Sequence, residues 1–276
     1  MTGVGWLAQA GVRMDIGLFE WLFDAGTWTG ADGILSSLAD TVRLCVAVVV
    51  VATLLAVPLA AALAHVGKGE LAAPWFVNVG RAIPTFAVAG LLVPISLRWG
   101  YGFEPWPIFI ALTLLAVPPI FLTTYTAVKG VDPVVVDAAR GMGFSDRHVL
   151  LNVELALGLT VILTGVRVAA VQVVATEPIR AFLGGNGLGR YVRDGLGQNN
   201  DSLVLGGAIL VAALALLTGL AFTALERLVM PRGVRRLGRG RDRRSGEDHE
   251  PDASARRAAQ AVDPVGSLRT ADSGLQ

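Results

Sequence analysis

The sequence predicts an all-α, polytopic membrane protein with about five transmembrane helices and one short helix in a cytoplasmic loop. Three observations predict it. First, 53% of the 276 residues are hydrophobic and only 16% charged, with a mean hydropathy of +0.59. A soluble domain of this length needs more charge to cover its surface. Second, the apolar residues fall in blocks bounded by charges, as in a chain that crosses a bilayer repeatedly. Third, a polar stretch, residues 129–154, separates two of these blocks and carries its own helix signals.

Each block can be justified in order, since a span takes about 20 apolar residues at 1.5 Å each. Residues 44–64 carry no charge, and their eleven Leu and Val favour insertion by roughly 3–7 kcal/mol. Residues 82–97, between Arg81 and Arg98, are short and require recruited flanks or a thinned bilayer. Residues 105–128 lie between Glu104 and Lys129, residues 155–176 enclose Arg167, and residues 202–225 lie between Asp201 and Glu226. Pro58, Pro84, Pro94, Pro118 and Pro119 bend or end helices, as membrane spans permit.

The ends differ in composition. Residues 1–35 mix Ile16, Leu18, Phe19, Trp21 and Phe23 with Asp15, Glu20 and Asp24, which predicts an extracytoplasmic segment, either a helix lying in the headgroup region or a loosely ordered leader. No basic stretch leads into an apolar core, so no secretory signal is expected. Residues 36–230 form the transmembrane domain. Residues 231–276 predict a disordered tail, because they hold too little apolar surface to fold alone. Its arginines suit anionic membrane lipid, not nucleic acid. The same arginines orient the chain. Arg227, Arg232, Arg235, Arg236, Arg239, Arg241, Arg243 and Arg244 follow the last span and are costly to translocate. With five crossings, the C-terminus is then cytoplasmic, the N-terminus outside, and residues 129–154 inside.

Residues 129–154 read as a capped lever. Asp132 is a side-chain cap and Pro133 stands at the first helical position, where its missing N–H does no harm. Gly143 is a natural stop, and Ser145 can cap a second short helix. Ala138 and Ala139 give the first helix a low profile that another protein's groove can approach. The plain alternative is a surface helix that only connects two spans. No phosphate-binding loop is present: Gly67-Lys68-Gly69-Glu70 lacks the required spacing and the following Ser or Thr. The chain is therefore not expected to be an enzyme or to hold a cofactor. Cys45 is the single cysteine, and His65, His148 and His249 are scattered, so no metal site is expected.

Four further stretches join the loop motif Asp137-Ala138-Ala139-x-x-x-Gly143. They are Thr41 to His65, Arg81-Ala-Ile-Pro-Thr-Phe86, Gly165-Val-Arg-Val-Ala-Ala-Val-Gln172, and Ala181-Phe-Leu-Gly-Gly-Asn-Gly-Leu-Gly189. In this order, over roughly residues 36–228, the chain resembles type I ABC importer permeases of the MetI-like fold. It is most similar to those for osmoprotectants such as glycine betaine, carnitine, choline and proline. The resemblance implies a plasma (inner) membrane location, ATPase subunits that grip Asp137, Ala138, Ala139 and Gly143, and a second permease copy or paralogue. It also implies an extracytoplasmic substrate-binding protein. Two departures stand out. Val153-Glu154-Leu-Ala-Leu-Gly158 lacks the two prolines usual there, and Glu177-Pro178 stands where small or polar residues are usual.

Arg167 within a span costs about 2.5–3.5 kcal/mol on insertion scales, so it must face protein or water. It reads either as a gate residue or as an internally paired arginine. Gln172 and Thr176, on the same block, either line a polar path or bond between helices. Gly184, Gly185, Gly187 and Gly189 follow no strand, which removes phosphate binding and favours an outer gate or docking loop. Arg180, Arg190 and Arg193 flank it and suit acidic groups on a binding protein. The competing cargo is an amino acid of the methionine type. The competing class is an ATP-independent secondary transporter, against which stand the absence of a visible repeat and of ionisable residues in several spans.

Overall fold

The computed structural model describes residues 21–30, 33–67, 80, 84–103 and 105–229. The readings of residues 1–20, of Arg81 to Ile83 and of the tail from residue 231 lie outside them. The description concerns the unit Met1–Arg227; of the unit Leu228–Gln276 the described residues include only Leu228 and Val229.

Among the described residues every regular element is a helix. In chain order these are α1 (Ala25–Trp28), α2 (Ile34–His65), α3 (Thr85–Arg98), α4 (Trp106–Lys129), α5 (Pro133–Gly141) and α6 (Asp146–Val149). A π-helical turn (Leu150–Glu154) then leads into α7 (Leu155–Thr176), followed by α8 (Ile179–Phe182), α9 (Gly189–Gln198) and α10 (Asp201–Val229). Four helical stretches are long and apolar enough to cross a membrane: α2, α4, the run Asp146–Phe182, and α10. The fifth expected span, α3, has 14 residues, about 21 Å at 1.5 Å per residue. Pro84 caps its start and Trp99 its end, so it falls short of a hydrocarbon core of about 30 Å. Beyond it, the loop is stitched closed: Trp106 Nε1 donates to Ser96 Oγ (2.9 Å), which donates to the Gly102 carbonyl (2.9 Å).

α2 begins ten residues before the uncharged block that predicted it. Asp40 and Arg43 lie inside the helix and pair across one turn at 3.8 Å. Charge ended the apolar run but not the helix, since charged side chains at helix spacing support it. α2 buries Leu44, Val48, Ala52, Ala56, Ala60 and Ala64, one every four residues. The four alanines of that stripe let α2 approach its neighbour α4 closely, the usual way helices associate without a hydrophobic drive.

α4 is the hub, packing against α2, α3 and α7. Its contact with α7 is tight enough that a Cβ on Gly165 would meet the Thr123 hydroxyl and come within 2.7 Å of Thr123 Cβ. A Cβ on Gly158 would lie 3.0 Å from Ala127 Cβ. α10 is the least buried of the long helices, with Leu216, Leu217 and Leu220 exposed. Gly207 on α10 lies against Tyr191 and Val192 of α9, so this glycine is used within the chain.

The described part of the N-terminal segment docks on one end of the bundle. Trp21 meets Tyr191 edge-on at 5.2 Å, and Trp28 packs with Ile34 and Leu188. Trp28 Nε1 donates to the Leu22 carbonyl at 2.7 Å.

Candidate functional site

The loop helix α5 is built by its two ends. The Asp132 carboxylate accepts from the Val134 amide at 2.9 Å, satisfying one otherwise unpaired N–H, and Pro133 occupies the first turn. At the other end, the Phe144 amide reaches the Ala139 carbonyl (3.2 Å) and the Gly143 amide reaches that of Arg140 (2.9 Å). This pair of reverse bonds requires a left-handed residue between them, and Gly143 supplies it at φ +87°. Ser145 precedes α6, but its side chain makes no capping bond; only its carbonyl is used, by the Val149 amide. Arg140 ties the two short helices instead, with Nε 3.3 Å from Asp146 Oδ1 and a guanidinium nitrogen 3.8 Å from Asp137 Oδ1. These exposed pairs contribute about 0–1 kcal/mol, so the caps at the two ends of α5 carry the shape.

The two alanines expected to share one surface face opposite ways. Ala138 is exposed, while Ala139 is 3% exposed and packs inward. The outward stripe is Val134 (73% exposed), Ala138 and Met142 (71% exposed), spaced i, i+4, i+8. Val134 and Met142 escaped the sequence reading, although that spacing is visible in it.

Arg167 is internally paired across the bundle. Its guanidinium donates to Thr223 Oγ1 (3.2 Å) and Glu226 Oε2 (3.2 Å) on α10, and Thr164 Oγ1 approaches the other Glu226 oxygen at 3.5 Å. Glu226, predicted only as the charge closing the last span, is the acidic partner. Arg167 and Gln172 line one open groove between α7 and α10, of about 600 Å³, with Gly219, Leu220 and Thr223. Thr176 is not on it; its hydroxyl donates to the Gln172 carbonyl on its own helix at 2.8 Å.

The glycine-rich run wraps a buried carboxylate. Glu177 is fully buried and accepts from Thr41 Oγ1 (3.2 Å) and from Arg180 (3.4 Å). The Thr41 hydroxyl in turn accepts from the Leu188 amide at 3.0 Å. Gly187, at φ +114°, has no room for a side chain: a Cβ would sit 2.8 Å from both Glu177 Oε1 and Thr41 Oγ1. Gly185 faces the Arg180 side chain, Gly184 faces Phe103, and Gly189 abuts the Pro178 backbone. Arg193 donates to the Ala181 carbonyl (2.9 Å) and pairs with Asp194, and Arg190 lies over the Tyr191 ring at 5.1 Å. Arg180 and Arg193 therefore each bond within the loop itself, to Glu177 and to the Ala181 carbonyl, partners that the sequence alone did not reveal. Glu177, noted in the sequence only as a departure, is its centre.

The fold recurs in solved structures. A chain of the methionine ABC transporter MetNI in an inward-facing conformation superposes with a TM-score of 0.61 over 72% of this chain and 96% of that one, at 17% identity. A second crystal form gives a TM-score of 0.56 at 19% identity. Helices of membrane length around a hub, with one capped loop helix, thus share the type I ABC importer fold. The profile for binding-protein-dependent transport system inner membrane components matches residues 29–233, and the chain belongs to that family. Among curated relatives, the glycine betaine/carnitine/choline transport system permease protein OpuCB of Bacillus subtilis (strain 168) is 31% identical over 67% of this chain and 83% of its own length. The carnitine transport permease protein OpuCB of Listeria monocytogenes is 34% identical over 59% and 73%. The choline transport system permease protein OpuBB of Bacillus subtilis (strain 168) is 30% identical over 68% and 85%.

Proposed function

We propose that this chain moves quaternary-amine osmoprotectants, of the glycine betaine, carnitine and choline type, across the membrane by alternating access. Separate ATPase subunits grip α5 at the cytoplasmic face, and an extracytoplasmic binding protein delivers substrate at the glycine-rich end. The N-terminus then lies outside and the C-terminus inside. A second permease copy or paralogue completes the path, covering the open groove beside Arg167 and Gln172.

The observation that carries this reading is α5 itself. A helix fixed at one end by the Asp132 carboxylate and at the other by backbone bonds, with an outward stripe of Val134, Ala138 and Met142, is a rigid part offered to a partner. Exposed apolar side chains in such an arrangement mark interaction surfaces. The printed substrates of the curated relatives give the cargo its chemical class. The likeness to the methionine transporter, at 17% identity, bears on the fold alone.

Vesicles holding this chain with its ATPase and binding-protein partners test the reading. Uptake of labelled choline or glycine betaine is expected to require ATP and to stop when the ATPase is omitted. Uptake driven by an ion gradient without ATP would overturn it. A partner binding protein that retains methionine and no quaternary amine would transfer the cargo to the amino-acid class.

A further inference from the structure

Two buried glutamates bracket α7, and each takes a partner from α2. At the α5 end, Glu154 Oε2 lies 2.8 Å from His65 Nδ1, and both side chains are largely enclosed. At the glycine-rich end, Glu177 accepts from Thr41. The two glutamates are 23 positions apart (177 minus 154), and Thr41 and His65 are 24 apart (65 minus 41). Both separations correspond to roughly 35 Å of helix. The helices run antiparallel, matched in length, and are fastened at both ends.

Sliding either helix along the other separates a buried carboxylate from its partner, which is costly because the freed group keeps its desolvation penalty. The fastening therefore resists relative movement of α2 and α7. The two loops of interest are attached to this pair. α7 continues through the π-turn from α6 and α5, and the Leu188 amide hangs on the same Thr41 hydroxyl that meets Glu177. Neither glutamate has a role in the reading of α5 or of the groove.

We infer that Glu154 and Glu177 pin α7 to α2, so that the pair travels as one rod carrying displacement from α5 to the glycine-rich loop. The four side chains are positioning residues; none need touch substrate. This inference rests on the proposed coupling at α5, but it makes a prediction independent of transport.

The test uses the whole transporter in membranes, with Cys45→Ala as background and Asn186→Cys as reporter on the exposed turn of the glycine-rich loop. The maleimide labelling rate at Asn186→Cys is expected to change about fivefold or more in Glu154→Ala, the effect of losing roughly 1 kcal/mol at the far end of the rod. Glu154→Gln and Thr41→Ser, which keep a hydrogen-bonding group, are expected to stay near the parent rate. Residues this far apart ordinarily act additively, within about 0.5 kcal/mol or roughly twofold. A rod predicts instead that Thr41→Val and Glu154→Ala together change the labelling rate no more than the stronger of the two alone. Additive effects, or an unchanged rate at Asn186→Cys in folded Glu154→Ala protein, would overturn the inference. If the parent protein shows no ATP-dependent uptake, the importer reading fails on that observation, and the labelling result still decides the rod.

Discussion

Gly165→Leu is expected to leave little folded protein in the membrane. Gly165 sits where α7 meets the hub helix α4, and even a single Cβ there would meet the Thr123 hydroxyl and lie 2.7 Å from Thr123 Cβ. Thr123 cannot turn aside easily. It is β-branched, and its hydroxyl already donates to the carbonyls of Pro119 (2.9 Å) and Ile120 (3.1 Å). Overpacking of this kind costs about 1–3 kcal/mol and more where backbones must separate. The measurement is the thermal midpoint of the detergent-solubilised protein and the fraction that elutes as a single species. Gly165→Ala is expected to lower the midpoint, and adding Thr123→Gly to restore most of it by removing the obstructing side chain. Gly219→Ala is the contrast. Its Cβ would meet only Val171 Cγ2 at 3.6 Å, an ordinary contact, so the midpoint should hardly move.

Gly143→Val is expected to reduce substrate uptake by about tenfold, equivalent to roughly 1.4 kcal/mol, while ATP hydrolysis by the partner continues. The reason is conformational, since nothing lies within 4 Å of an added Cβ. A left-handed backbone at φ +87° costs an ordinary side chain about 1–2 kcal/mol, and a β-branched one suits it least. Relief of that strain breaks the reverse bonds from Phe144 and Gly143 that close α5, and the lever loses its fixed angle. Gly143→Asn is expected to be milder, because Asn tolerates this region. Uptake and ATP hydrolysis measured on one preparation separate lost coupling from lost protein. Ala138→Asp and Ala139→Asp then divide surface from core. The first places a charge on the outward stripe and should uncouple a stable protein. The second buries a carboxylate at a site 3% exposed and should destabilise the loop itself.

The features legible in the sequence are the local ones. The long apolar blocks became α2, α4, α7 and α10, because length and charge boundaries are properties of a short window. The shortness of residues 82–97 was equally visible, and α3 is indeed too brief to cross a typical hydrocarbon core. Asp132, Pro133 and Gly143 announced α5, since capping involves neighbours within a few residues. Ser145 met the same local rule but left its side chain unused, with the α6 start held by its carbonyl.

The hidden features depend on partners far along the chain. Arg167 had to face protein or water, but Glu226, 59 positions on, is identified as its partner only once α10 lies beside α7. Glu154 and Glu177 stood out as breaks in a familiar pattern. Nothing in their neighbourhood tells that His65 and Thr41 come from one helix to meet them. Likewise, arginines flanking a glycine-rich run look free in a sequence, whereas Arg180 and Arg193 are committed to Glu177, Ala181 and Asp194. The inward and outward faces of α5 were half legible. Its periodicity is readable, but which alanine packs inward depends on where the loop rests.

The central claim is that α5 faces the cytoplasm, where a separate motor can grip it. Accessibility of Val134→Cys in a Cys45→Ala background tests this most directly, because Val134 on the outward stripe is 73% exposed. A membrane-impermeant maleimide is expected to label it in inverted vesicles and not in intact cells. Labelling in intact cells, with inverted vesicles protected, would contradict the account.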